Sequence, residues 1–144
     1  MPAALKSYRD SNAIREHLAK SDPGNAGWQR DLSVSYNNIC WAQAIAGQLE
    51  AGLADCNESL RLRPDESATL DSRGLVYLKS GDFDKAIADY DAALRISPKL
   101  AGSHYGRGIA KLKKGDAAGG DADIASAKAI RADIAEEYAR YGVK

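Results

Sequence analysis

Apolar residues recur along this chain at three- and four-residue intervals, in runs separated by glycine, proline and aspartate. That spacing lines them up on one side of a helix, whereas a strand would alternate them. In the first run Ala4, Leu5, Tyr8, Ile14 and Leu18 make such a stripe and predict a helix over 2–21, opened near Pro2 and stopped by Asp22-Pro23-Gly24. Asn25 stands as an N-cap for a helix from Ala26 to Ala46. Gly47 supplies a turn, and a helix from Leu49 to Leu62 ends ahead of Arg63-Pro64. Further helices are predicted over 66–80, 84–96, 101–114 and 117–129, with Gly81 as a left-handed turn, Asp82 as a cap and Pro98 as a stop. Gly119 and Gly120 weaken the last of these by about 1 kcal/mol each relative to alanine. Over 132–141, Ile134, Ala135 and Tyr138 share one face and Glu136, Glu137 and Arg140 are left to solvent, which suits a capping helix. The fold class is all-α.

The helix pairs are copies of one another at a spacing of 34, visible when Gly47, Gly81 and Gly115 are aligned. Counted from Ser33, Ser67 and Ala101, position 8 holds Cys40, Gly74 and Gly108, and position 20 holds Gly52, Ala86 and Gly120. Position 24 holds Cys56, Tyr90 and Ile124, position 27 holds Ser59, Ala93 and Ala127, and Pro64 and Pro98 share position 32. A fixed period of 34 with this pattern resembles the tetratricopeptide repeat, a helix–turn–helix unit. The resemblance spans 33–132, with Ser67–Pro98 as its best copy. It implies a right-handed α-solenoid of antiparallel helix pairs in a single domain over 1–144: an orphan helix at 2–21, units at 26–64, 65–98 and 99–131, and a capping helix at 132–141. Ala4, Leu5 and Tyr8 overlay Ala86, Ile87 and Tyr90, so the first helix reads as the second half of a unit whose first half is absent. Such a start also fits a piece of a longer array. The two N-terminal helices run about two turns past the standard length, similar to a 42-residue variant of the repeat. Positions 8 and 20 are expected to meet where the helices of a unit cross, and positions 24 and 27 to face the neighbouring unit.

The resemblance also implies where function resides. First helices of such units line a concave groove, and residues at positions 2, 5, 9 and 12 contact ligand. Carried over, these are Val34, Asn37, Trp41 and Ala44, then Ala68, Asp71, Leu75 and Leu78, then Gly102, Tyr105, Ile109 and Leu112. Trp41 and Tyr105 are the expected anchors, because large amphipathic rings dominate interface energetics. Trp41 reads equally as packing between adjacent first helices, and for Leu75 and Ile109 packing is the favoured reading. Some members of the family grip a chaperone's C-terminal carboxylate through basic and amide side chains. Here Asn37 is present, but Trp41, Ser72, Gly102 and Gly106 fill the other clamp positions, so an extended or helical peptide in a mixed groove is the better expectation. The open face of the first helix, around Leu5, Tyr8 and Ile14, offers the alternative of self-association as a homodimer or larger assembly.

Charge and candidate chemistry alter this picture little. Lys+Arg and Asp+Glu both total 20, so no basic excess draws nucleic acid or an anionic membrane. No apolar run approaches the roughly 18 residues of a membrane span, and the N-terminal stretch lacks a signal peptide's apolar core, which points to a soluble, cytoplasmic protein. Cys40 and Cys56 are expected as separate buried thiols acting as small hydrophobes, and not as a disulfide or metal framework. Gly106-Arg107-Gly108 follows no strand and lacks a third glycine, so it reads as helix. Asp116, Asp121 and Asp123 lack calcium-loop spacing and read as a cap and a solvated helix face. His17 and His104 neighbour no nucleophile motif. No cofactor, metal or catalytic residue is expected; a protein or peptide partner is.

Overall fold

The computed structural model describes residues 2–143. Over them the chain forms eight helices and no strand: α1 (Pro2–Ser21), α2 (Ala26–Ala46), α3 (Leu49–Leu62), α4 (Ser67–Ser80), α5 (Phe83–Ile96), α6 (Ala101–Lys113), α7 (Ala117–Ile130) and α8 (Ile134–Arg140). The outer domain bounds, Met1 and Lys144, lie outside the described residues.

Local chemistry sets the ends. The Asn25 side chain accepts from the amides of Gly27 and Trp28 at 2.9 and 3.2 Å, which fixes the start of α2. Gly47 and Gly81 both take φ of 80°, a left-handed turn that lets the next helix reverse direction at once. Asp82 stands at the N-cap of α5 but its side chain makes no cap bond; it lies 3.5 Å from Lys85 instead. Asp116 does cap, accepting from the Gly119 amide at 2.9 Å.

The helices pair antiparallel as α2/α3, α4/α5 and α6/α7, and α1 packs on α2. Across units α2 touches α4 and α4 touches α6, whereas α3, α5 and α7 do not touch one another. The first helices therefore form the inner layer of a curved stack and the second helices the wider outer layer. The core runs between the layers through Cys40, Cys56, Leu75, Val76, Ala86, Tyr90 and Ile109.

Position 8 faces position 24 as closely as position 20. A Cβ on Gly74 would lie 2.7 Å from the Tyr90 ring, and one on Gly108 would lie 2.8 Å from Ile124 and 2.9 Å from the Gly120 carbonyl. Tyr90 also presses on the next unit, where a Cβ on Gly106 would fall 2.4 Å from its ring. So Gly106 and Gly108 are there to admit neighbours. In the first unit the same two positions are Cys40 and Cys56, and there the expectation of separate thiols is corrected: they form a disulfide with Cα atoms 5.3 Å apart. Equivalent positions in direct side-chain contact are within disulfide reach once both are cysteine.

A ladder of ion pairs crosses the helices. Arg73 grips Asp89 with two bonds of 2.7 and 2.8 Å and reaches Asn57 of the preceding unit at 2.9 Å. One period later Arg107 grips Asp123 at 2.8 and 2.7 Å and reaches Asp91 at 2.8 Å. Asp123 is thus a buried ion-pair partner, also held by Lys111 at 2.9 Å, and not part of a solvated face. In the first unit buried Ile39 replaces the arginine, and Asp55 turns to Arg9 of α1 at 3.4 Å.

α8 packs beside α6 as well as α7, with Ile134 and Tyr138 buried in the main core cluster together with Val143.

Candidate functional groove

The inner layer is lined by the side chains that α2, α4 and α6 turn away from their partner helices. Its N-terminal part is an open cavity of about 420 Å³ bounded by α1, α2 and α4, with Leu100 at its edge. Tyr8, Asn37, Trp41, Ile45, Ala68 and Asp71 shape its wall, a mostly apolar surface with a few polar atoms. The Asn37 Oδ1 is buried and has no hydrogen-bond partner among the described residues. An unpartnered buried acceptor is costly unless a ligand donor satisfies it.

Asp71 lies deeper. Burial pushes its carboxyl up to about 6, while the Ser103 hydroxyl, donating at 2.6 Å, pulls the other way. The hydroxyls of Tyr90 and Tyr138 are themselves held well above the usual phenol range, by burial first and by the nearby Asp71 among the smaller causes. The C-terminal part of the groove is covered by α8. Tyr138 donates to the Gly102 carbonyl at 2.6 Å, its ring centroid is 4.9 Å from that of Tyr105, and Tyr141 meets Trp41 edge-on at 5.1 Å.

The positions expected to contact ligand divide accordingly. Asn37, Trp41 and Asp71 share the open cavity, and Tyr105 lies under Tyr138. Leu75 is fully enclosed, and Leu78 and Ile109 are buried around Val143, so these three are corrected to core. They sit where adjacent first helices meet, which takes them out of the groove. Leu112 leans on α7, close to Gly120, and Val34 is 44% exposed apart from the cavity. Of the self-association residues, Ile14 is 64% exposed, Leu5 lines a second cavity with Arg9 and Gln48, and Tyr8 belongs to the groove itself. The repeat pattern does not single out Asn38, Ile45 and Leu100 of the wall, because they stand outside its four ligand-contact positions.

A protein-family model described as TPR repeat matches residues 74–115. Over that stretch the chain resembles the tetratricopeptide repeat. Solved structures agree with it in fold. The TPR domain of Arabidopsis OM64 superimposes with a TM-score of 0.71 at 17% identity, over 79% of this chain and 94% of that one. A thermophilic TPR protein of Thermus thermophilus, TTC0263, gives 0.58 at 22% identity over 97% and 74%, and MamA gives 0.61 at 17% over 93% and 88%. No curated protein sequence matches the chain.

In this chain the clamp positions offer no pair of cations to a carboxylate. Gly106 is pressed by Tyr90, and the Ser72 hydroxyl is spent on the Ala68 carbonyl at 3.0 Å. Among the described residues no group of three or more His, Cys, Asp and Glu could hold a metal ion, and no helix is long and apolar enough to cross a membrane.

Proposed function

We propose that this chain is a non-catalytic interaction scaffold that takes a peptide segment of another protein in the open part of its inner groove. The observation that carries the reading is the 420 Å³ cavity whose largest side chains are Tyr8 and Trp41 and whose Asn37 acceptor is left unpartnered. An aromatic-walled apolar cleft with one convergent polar atom is the usual form of a ligand site. A structural neighbour, YrrB, is described as a TPR protein with an unusual peptide-binding site; it matches at a TM-score of 0.64 and 12% identity over 96% of this chain, which adds support from the fold alone.

The test is selection of peptides from a displayed random library, followed by titration of the winners. Trp41→Ala and Ala68→Arg should each weaken binding at least about tenfold, while Lys128→Ala on the outer layer leaves it unchanged. Failure to enrich any peptide, or equal binding by all variants, would sink the reading.

A second reading rests on α1, whose Ile14 is 64% exposed and the barest large apolar side chain among the described residues. There α1 pairs with another copy. Light scattering across a hundredfold concentration range tests it: a mass that rises with concentration and drops on Ile14→Glu supports pairing, and a constant monomer mass rejects it.

A further inference from the structure

The sequence of α8 continues the repeat register, for Tyr138 stands one period after His104 and two after Leu70. Like a helix that continues the stack, α8 packs beside α6 and α7, but the chain at its C-terminal end turns inward. Tyr141 touches Trp41, which belongs to the first unit, and Val143 settles beside Leu78 and Phe83 of the second. Of the groove residues that the family pattern assigns to a ligand, Gly102 and Tyr105 lie under Tyr138, and Tyr141 reaches the edge of Trp41.

Little besides those contacts holds it. At seven residues α8 is far too short to persist alone. It is tethered by Arg131, Ala132 and Asp133, all exposed, and its outward residues Glu136, Ala139 and Arg140 are exposed too. Its anchorage is Ile134 and Tyr138, buried in the main core cluster with Val143, one hydrogen bond to the Gly102 carbonyl, and the ring contacts of Tyr138 with Tyr105 and Tyr141 with Trp41. Gly102 fits this use, since a Cβ there would come 3.3 Å from the Tyr138 hydroxyl.

Resting on the groove reading above, we infer that Ile134–Val143 is a built-in competitor. It fills the C-terminal part of the groove in place of a partner helix of the same pattern, an aliphatic residue with tyrosines four and seven positions on, and such a partner must displace it to bind.

The probe is a labelled synthetic peptide of residues 131–144, titrated by fluorescence anisotropy. It is offered to the full chain and to a full-length Ile134→Glu/Tyr138→Glu variant whose own segment cannot dock. The variant should bind the peptide at least about tenfold more tightly than the unaltered chain, because it lacks the competitor. A peptide with Ala at both tyrosines should bind neither. Equal affinity for the two chains, or no binding to a variant with full helix content, overturns the inference. Hydrogen exchange on the unaltered chain settles the matter should the variant fail to fold. The amides of Tyr138, Gly142 and Val143 should exchange through local opening, at least about a hundredfold faster than those of α4. Exchange of all of them only with global unfolding overturns it. A library-selected peptide that needs both Trp41 and Tyr105 and binds both chains alike would leave the groove reading standing while removing the competitor.

Discussion

At the scale of single residues, Tyr90 and Asp71 carry the sharpest consequences. Tyr90 is fully buried between Gly74 of its own unit and Gly106 of the next, so either glycine made larger must displace the ring. Gly74→Leu is expected to cost about 1–3 kcal/mol, as overpacking usually does, read as a lower midpoint in urea at constant slope. The Tyr90 hydroxyl has no hydrogen-bond partner within bonding geometry among the described residues, so Tyr90→Phe should leave that midpoint unchanged or raise it. Asp71 gives a pH signature. With its carboxyl raised from 3.8 to about 6, the folded chain keeps a proton that the unfolded chain releases. Its contribution is therefore complete at acid pH, declines as pH rises through about 6, and is lost above, a change of at most about 3 kcal/mol. The groups around it are Ser103, Tyr90 and Tyr138, with Lys99, Arg131 and Glu137 at the rim. Asp71→Asn should flatten the decline in melting temperature between about pH 4 and 7. Asp123 works in the opposite sense. Burial alone would raise its carboxyl, but Arg107 and Lys111 hold it below the usual range, so its contribution is lost on acidification.

At the scale of elements, the ladder joins α4 and α6 each to two outer helices. Arg107→Met removes a two-pronged, half-buried grip and leaves Asp123 to Lys111 alone, and about 2 kcal/mol should go. Lys6→Met breaks an exposed pair within α1 and should leave the melting temperature unmoved. The ladder is legible in the sequence: Asn57, Arg73 and Asp89 follow one another at 16 residues, and Asp91, Arg107 and Asp123 repeat that spacing one period later. The helices themselves are readable because Gly47, Gly81, Pro64 and Pro98 punctuate the apolar stripes; predicted and observed ends differ by a residue or two. The path of α8 is not readable, since its stripe and register suit a cap on α7 as well as a plug in the groove. Only the placement of Trp41, three units away, distinguishes them. The bond between Cys40 and Cys56 can be found by asking which positions touch. Gly74 and Tyr90 hold the same two places in the next unit, and a glycine beside a large ring marks direct contact.

For the whole molecule, stability is close to a sum over units and the faces between them. The first unit is the one with a covalent tie, and it lacks the arginine rung that serves the other two. Full reduction, or Cys40→Ala with Cys56→Ala, should lower stability by about 3 kcal/mol in denaturant melts, the amount expected from closing a loop of this length. Loss should begin at the N-terminal end, with α1 and α2 exchanging their amides first.

That tie would also be felt by a hand pulling on the chain. The disulfide bridges 16 positions of sequence, so in the oxidised protein the stretch between Cys40 and Cys56 cannot lengthen under tension. Stretched from its two ends between optical traps, the oxidised chain should reach a contour length about 50 Å shorter than the reduced one. The missing length would report, molecule by molecule, which copies had closed the bond.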